Sequence, residues 1–210
     1  LESEHPKPLR ISCDSNGPEV VESAIAQTCA EMLSDAAFNV LGASFFFSPA
    51  LADVGQFFAT VALQIAAKEP TYGLKLGRFI NNNPFWNTKN DKTQFNMLLA
   101  DRFQEMSAEA RGGKLKSWVV IVDGLDRCLD TNFQRRLVTL VTGSINTYGT
   151  RFPLRWAFFI HRNGFAHELV SEMSPLCETV LPSPPIISEE GVQGAGKGKQ
   201  GLIGVSDDSP

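Results

Sequence analysis

The chain has 210 residues, 43% of them hydrophobic and 20% charged, and carries a formal net charge of −4. That length supports one domain with its own core, and a mean hydropathy of −0.08 without any apolar run near spanning length excludes a helical membrane protein. A pI near 5.4 and scattered charge do not suit neutralisation of a phosphate backbone, so neither nucleic acid nor a membrane is expected as a partner.

The cysteines at positions 13, 29, 128 and 177 have neither zinc-ligand nor disulfide-framework spacing, which points to a reducing, cytoplasmic or other intracellular compartment. Residues 1–8 hold no signal-peptide core or transit pattern and do not begin with Met, so the chain reads as part of something longer, with these residues as a linker. Residues 9–182 read as one domain. Residues 183–210, with six Gly, three Pro and four Ser, read as a low-complexity, disordered tail.

Within the domain, Leu9 to Cys13 suits a first strand, and Val20, Val21, Ala24, Ile25, Thr28, Cys29, Met32 and Leu33 fall at helical spacing. Phe38 to Phe47 predicts a second strand stopped at Ser48-Pro49. A helix follows with Asp53 as N-cap and Val54, Phe57, Phe58, Val61 and Ile65 on one face, ending before Pro70. Residues 71–90 read as a loop around Asn81-Asn82-Asn83-Pro84, and Phe95 to Met106 as a helix running up to Gly112-Gly113. Trp118 to Val122 has no alternation, as a strand covered on both faces would show. A helix through Phe133, Leu137, Leu140, Val141 and Ile145, a strand over Leu154 to Ile160, a short helix over Gly164 to Met173 and a strand over Cys177 to Leu181 complete the pattern. Strands alternating with helices predict a three-layer α/β fold, its mainly parallel sheet of about five strands flanked by helices.

The segment Trp118 to Cys128 carries the most chemistry. A buried strand ending in Asp123 places that carboxylate at the carboxyl edge of a parallel sheet, where open α/β sheets bind ligands. Asp126, three residues on, can point into the same crevice and orient a water. The same residues also suit a plain Asp-Gly turn and a helix cap.

Taken with Ser23 to Thr28, with Leu41 to Ser48 (LGASFFFS) and with the strand Leu154 to Ile160 followed by Arg162, this segment resembles the NACHT-type, nephrocystin-like branch of the signal-transducing P-loop NTPases over residues 9–181. The resemblance implies a nucleotide-gated signalling switch. It implies Gly17, Pro18, Ser23 and Arg162 at the nucleotide, Mg²⁺ held through Asp123 and Ser23, and Asp126 as the catalytic group. The cofactor would be Mg-ATP or Mg-GTP, and the partners would be neighbouring protein domains, effector regions or repeats.

The departures bear on activity. A phosphate loop uses glycines for close backbone approach and a Lys for the terminal phosphates. Here Gly17-Pro18-Glu19-Val20-Val21-Glu22-Ser23 is one residue short, has Val for the inner glycines and puts Glu22 where the Lys belongs. A carboxylate about 4 Å from a phosphate charge adds roughly 4 kcal/mol of repulsion at an effective dielectric of 20. Arg127 stands where the family has Glu to activate water, and Ile160-His161-Arg162-Asn163 keeps only the Arg of its strand end. The expectation is a nucleotide-binding switch impaired in hydrolysis; the alternative is a pseudo-NTPase interaction scaffold that binds no nucleotide.

Other motifs carry less. Gly191 to Gly198 matches the letters GxxxxGK, but with Gly198 in place of Ser or Thr and no flanking strand or amphipathic helix. His161 and His167 lack ligand partners at metal spacing, and Cys128 reads as a buried small residue.

Overall fold

The structure is a computed structural model that describes residues 9–13, 19–48, 54–110, 114–149, 152–160, 165–172 and 180–181. Gly17, Pro18, Asp53, His161, Arg162, the Gly191–Gly198 segment and the tail lie outside the described residues.

The first strand, β1 (Leu9–Cys13), leads to helix α1 (Glu19–Ser34). The next strand, β2, covers Leu41–Phe46 and so starts later than Phe38. Asp35 accepts the Ala37 N–H and Asn39 takes a left-handed φ of 44°, so the chain is still turning out of α1 where β-propensity alone suggests a strand. A short 3₁₀ turn (Val54–Gln56) precedes α2 (Phe57–Lys68), and Pro70 opens α3 (Pro70–Asn82).

Helix α3 replaces the first part of the loop expected over 71–90, whereas residues 83–90 do run as turns around a short 3₁₀ stretch (Trp86–Thr88). Pro at the first helical position needs no N–H partner, and Tyr72, Leu76, Phe79 and Ile80 keep a helical stripe through two glycines. Gly73 is there for contact: a Cβ at that position would sit 2.9 Å from the Ala66 carbonyl oxygen of α2. The buried Tyr72 hydroxyl donates to the Leu98 carbonyl at 2.6 Å.

The helix expected around Phe95–Met106 is composite. It runs as α4 (Asp91–Gln94), a π-helical stretch (Phe95–Ala100) and α5 (Asp101–Glu109), and Asn90 caps its start by accepting the Thr93 N–H at 2.9 Å. Strand β3 (Trp118–Asp123) ends in a 3₁₀ turn (Leu125–Arg127), after which come α6 (Thr131–Tyr148), β4 (Leu154–Phe159), α7 (Phe165–Glu172) and the two-residue β5 (Val180–Leu181).

Among the described residues every strand pairing is parallel, in the order β2-β3-β4-β1-β5. The alternating residues of β3 and β4 divide between two cores. Trp118, Val120, Val122, Leu154, Trp156 and Phe158 face α2 and α6, whereas Ile121, Ala157 and Phe159 face Ala26 and Ala30 of α1. In β2 the register shifts between Leu41 and Ala43, so Leu41 lies on the α1 side while Ala43 and Phe47 lie on the other. Ala166 of α7 joins the core opposite α1. Adjacent strands β1 and β4 therefore send their following helices to opposite faces, the arrangement that opens a crevice at the carboxyl edge of a parallel sheet.

Helix α6 is capped by Asp130, whose carboxylate accepts the Phe133 N–H at 2.9 Å and faces Arg136. That backbone bond, followed by Arg136, holds the Asp130 carboxyl below its ordinary range. Asp130→Ala is expected to cost about 1 kcal/mol in equilibrium unfolding. Because the folded state depresses this titration, the cap's contribution is complete above the ordinary carboxylate range and is lost as pH falls through the lowered value. The difference between wild type and variant should therefore narrow in acid.

Candidate functional site

The carboxyl edge of the sheet is built by the Asp-Gly turn that ends β3. Asp123 pairs in register with Phe46 of β2 and Phe159 of β4, which puts it in the last row of the three strands. Its carbonyl accepts the Phe47 N–H at 2.9 Å, and Gly124 N–H donates to the Phe159 carbonyl at 3.0 Å, so both neighbouring strands hold the turn. Gly124 has a φ of +67°, the left-handed region that glycine enters without steric cost. The chain then closes a 3₁₀ turn through an Arg127 N–H bond to the Gly124 carbonyl at 2.8 Å. This brings the Arg127 side chain back over the residue four positions before it.

Three side chains meet there. Ser23, near the start of α1, donates its hydroxyl to Asp123 Oδ2 at 2.7 Å. Arg127 Nη2 donates to the same Ser23 Oγ at 2.9 Å, and Arg127 Nη1 stands 4.0 Å from Asp123 Oδ2. The Asp123 side chain is 2% exposed and that of Arg127 is 21% exposed. Burial pushes the Asp123 carboxyl above its ordinary range; the Ser23 hydrogen bond and the Arg127 charge pull it down, and the Asp126 charge adds to the rise. Asp126 is half-buried within the 3₁₀ turn, close enough for its charge to act on Asp123.

The structure thus brings together Ser23, Asp123 and Asp126, residues 100 and more apart in sequence from one end of the group to the other. Gly17, Pro18 and Arg162 lie outside the described residues, as does the Glu22 side chain. Arg127 is the residue that sequence reasoning did not bring to the site: it stood only as a missing Glu, whereas its guanidinium donates to Ser23 and pairs with Asp123. The signal was present in Asp123-Gly124-Leu125-Asp126-Arg127, an Asp and an Arg four apart across a glycine turn.

The donor set can be tested against the divalent cation that the resemblance implies. A metal held by Ser23 and Asp123 needs a lone pair of the Ser23 oxygen and one of the carboxylate. Here the Ser23 hydroxyl gives its proton to Asp123 and accepts from Arg127. A doubly charged ion beside Asp123 would lie about 4 Å from the guanidinium, a repulsion of roughly 8 kcal/mol at an effective dielectric of 20. The site in this arrangement does not fit Mg²⁺. Among the described residues, no group of three or more His, Cys, Asp or Glu side chains could hold a metal ion elsewhere.

Cys128 is buried beneath the following turn and its thiol is held above the ordinary range, chiefly by burial. A protonated thiol is a poor nucleophile, which agrees with a packing role. Among the described residues, no helix is long and apolar enough to cross a membrane. The chain matches no protein-family model, and no match to it is found among curated proteins.

Proposed function

We propose that this chain is a P-loop NTPase-like domain of the NACHT, nephrocystin-like type that works as a protein-interaction scaffold and does not hydrolyse nucleotide. The observation that carries this reading is the closed group of Ser23, Asp123 and Arg127, in which the hydroxyl and carboxylate that would serve a metal are already paired with a guanidinium. The placement of Ser23 on the helix after β1 and of Asp123 at the end of β3 supports descent from a phosphate-binding site. Glu22 in place of the loop Lys removes charge-assisted bonds to phosphate. The partners on this reading are other protein domains.

The second reading, a switch that retains Mg-ATP or Mg-GTP without fast hydrolysis, is favoured by Ser23, Asp123 and Asp126 gathering at one carboxyl edge. Titration of the purified chain with a fluorescent ATP analogue and Mg²⁺ separates the two. The scaffold reading expects no saturable binding in the micromolar range, and gain of binding in Glu22→Lys only if Arg127 is also replaced. Saturable wild-type binding that Asp123→Ala weakens, with the fold checked by circular dichroism, would give the site to the switch.

A further inference from the structure

We propose that Arg127 is a built-in replacement for the divalent cation: its guanidinium joins Ser23 to Asp123, fastens α1 to the end of β3, and makes this edge of the sheet indifferent to Mg²⁺. The inference deepens the scaffold reading and rests on the site being of phosphate-loop origin.

A metal in such a place would link a hydroxyl on α1 to a carboxylate on β3. Here the Ser23 hydroxyl reaches Asp123 directly at 2.7 Å, and Arg127 braces that link with one planar group, Nη2 donating to Ser23 Oγ at 2.9 Å while Nη1 stands as an ion-pair partner 4.0 Å from Asp123 Oδ2. A guanidinium can serve two oxygens at once and stays charged at every relevant pH, which an ammonium on a flexible stem does less well. The turn is shaped to admit it: a Cβ on Gly124 would lie 3.1 Å from Arg127 Cδ and 3.2 Å from its Nε. Glycine is thus needed at position 124 for its left-handed backbone and also for the room it leaves the arginine.

A bound ion comes and goes with its ligand, so the contact it makes has two states. A cation carried on the chain does not leave. The contact between α1 and β3 then has one state, which suits a domain that presents a fixed surface to its partners. Removing the guanidinium should uncover a metal site made from the same oxygens, and replacing it by a carboxylate should improve that site.

The test uses the full chain and Mn²⁺ alone, with unbound Mn²⁺ read by electron paramagnetic resonance. Arg127→Glu is expected to bind Mn²⁺ at least about tenfold more tightly than wild type, and Arg127→Glu combined with Asp123→Asn to fall back to the wild-type level. Mn²⁺ should raise the unfolding temperature of Arg127→Glu and leave wild type unmoved. If Arg127→Glu does not fold, Arg127→Gln is read in the same titration, with a smaller gain expected. Absence of any gain in the folded variant, or wild-type Mn²⁺ binding that Asp123→Asn removes, overturns the proposal.

The ATP titration tells its failure from failure of the scaffold reading. Wild-type ATP binding in the presence of EDTA would sink the scaffold and keep the built-in cation. ATP binding only with Mg²⁺ would sink both. Loss of the Mn²⁺ gain, with no ATP bound, would sink the built-in cation alone.

Discussion

Replacing Phe57 by alanine is expected to lower the unfolding free energy by about 3–5 kcal/mol, read from the urea midpoint of the purified chain. Phe57 is wholly buried at the first residue of α2 and stands at the centre of an aromatic cluster in the core on the side of the sheet opposite α1. Its ring lies 4.9 Å from Phe45, 5.1 Å from Phe58, 5.8 Å from Phe133, 5.9 Å from Phe47 and 6.4 Å from Trp156, centroid to centroid. These neighbours come from β2 and the residue after it, α2, α6 and β4, and rigid rings on several elements cannot easily collapse into the space left behind. A loss of that size is a large share of the 5–15 kcal/mol typical of a domain. Leu63→Ala, on the exposed side of the same helix, should stay within about 0.5 kcal/mol of wild type. Equal losses at the two positions would contradict the packing described.

Arg127→Gln is expected to cost about 2–3 kcal/mol at neutral pH. Stripping one partner from a fully buried ion pair costs about 3–5 kcal/mol; the smaller figure here reflects the partial exposure of Arg127 and its 4.0 Å separation from the carboxylate. Asp123 would remain buried with one fewer group favouring its charge. Its carboxyl already titrates above the ordinary range because burial outweighs Ser23 and Arg127, and loss of Arg127 raises it further. The folded state then holds a proton that the unfolded state releases, so stability falls as pH rises between the ordinary carboxylate range and the raised value. The deficit of the variant should therefore be full above the variant's raised Asp123 titration and shrink as pH is lowered through it. Unfolding measured across that range checks both the size and the sign. A deficit that grows in acid would contradict the assigned role.

Much of the architecture was legible because its strands are buried on both faces. Trp118–Val122 is a continuous apolar run and Leu154–Phe159 is interrupted only by Arg155, and such runs in alternation with helical stripes point to a parallel sheet. The misses have local causes. Helix α3 was hidden by Gly73, Gly77 and a run of asparagines, yet Gly73 is required by the close approach of α2, a constraint no single-sequence pattern displays. The π-helical stretch within residues 91–109 keeps the same apolar stripe as an α-helix, so periodicity could not separate them. At the site, Asp123 was readable from its place at the end of a buried strand. Arg127 was not, because its function depends on Gly124 turning the chain back and on Ser23 arriving from a helix 104 positions earlier than the arginine.

The bridge itself is tested most directly by a double-mutant cycle between Ser23→Ala and Arg127→Gln, with Asp123 left intact and all four proteins unfolded in urea at pH 7. If Arg127 joins α1 to β3 through the Ser23 hydroxyl, the two losses are coupled by about 1–2 kcal/mol. Losses that add to within about 0.5 kcal/mol would mean that the hydroxyl and the guanidinium act separately, and the account of the site would be wrong.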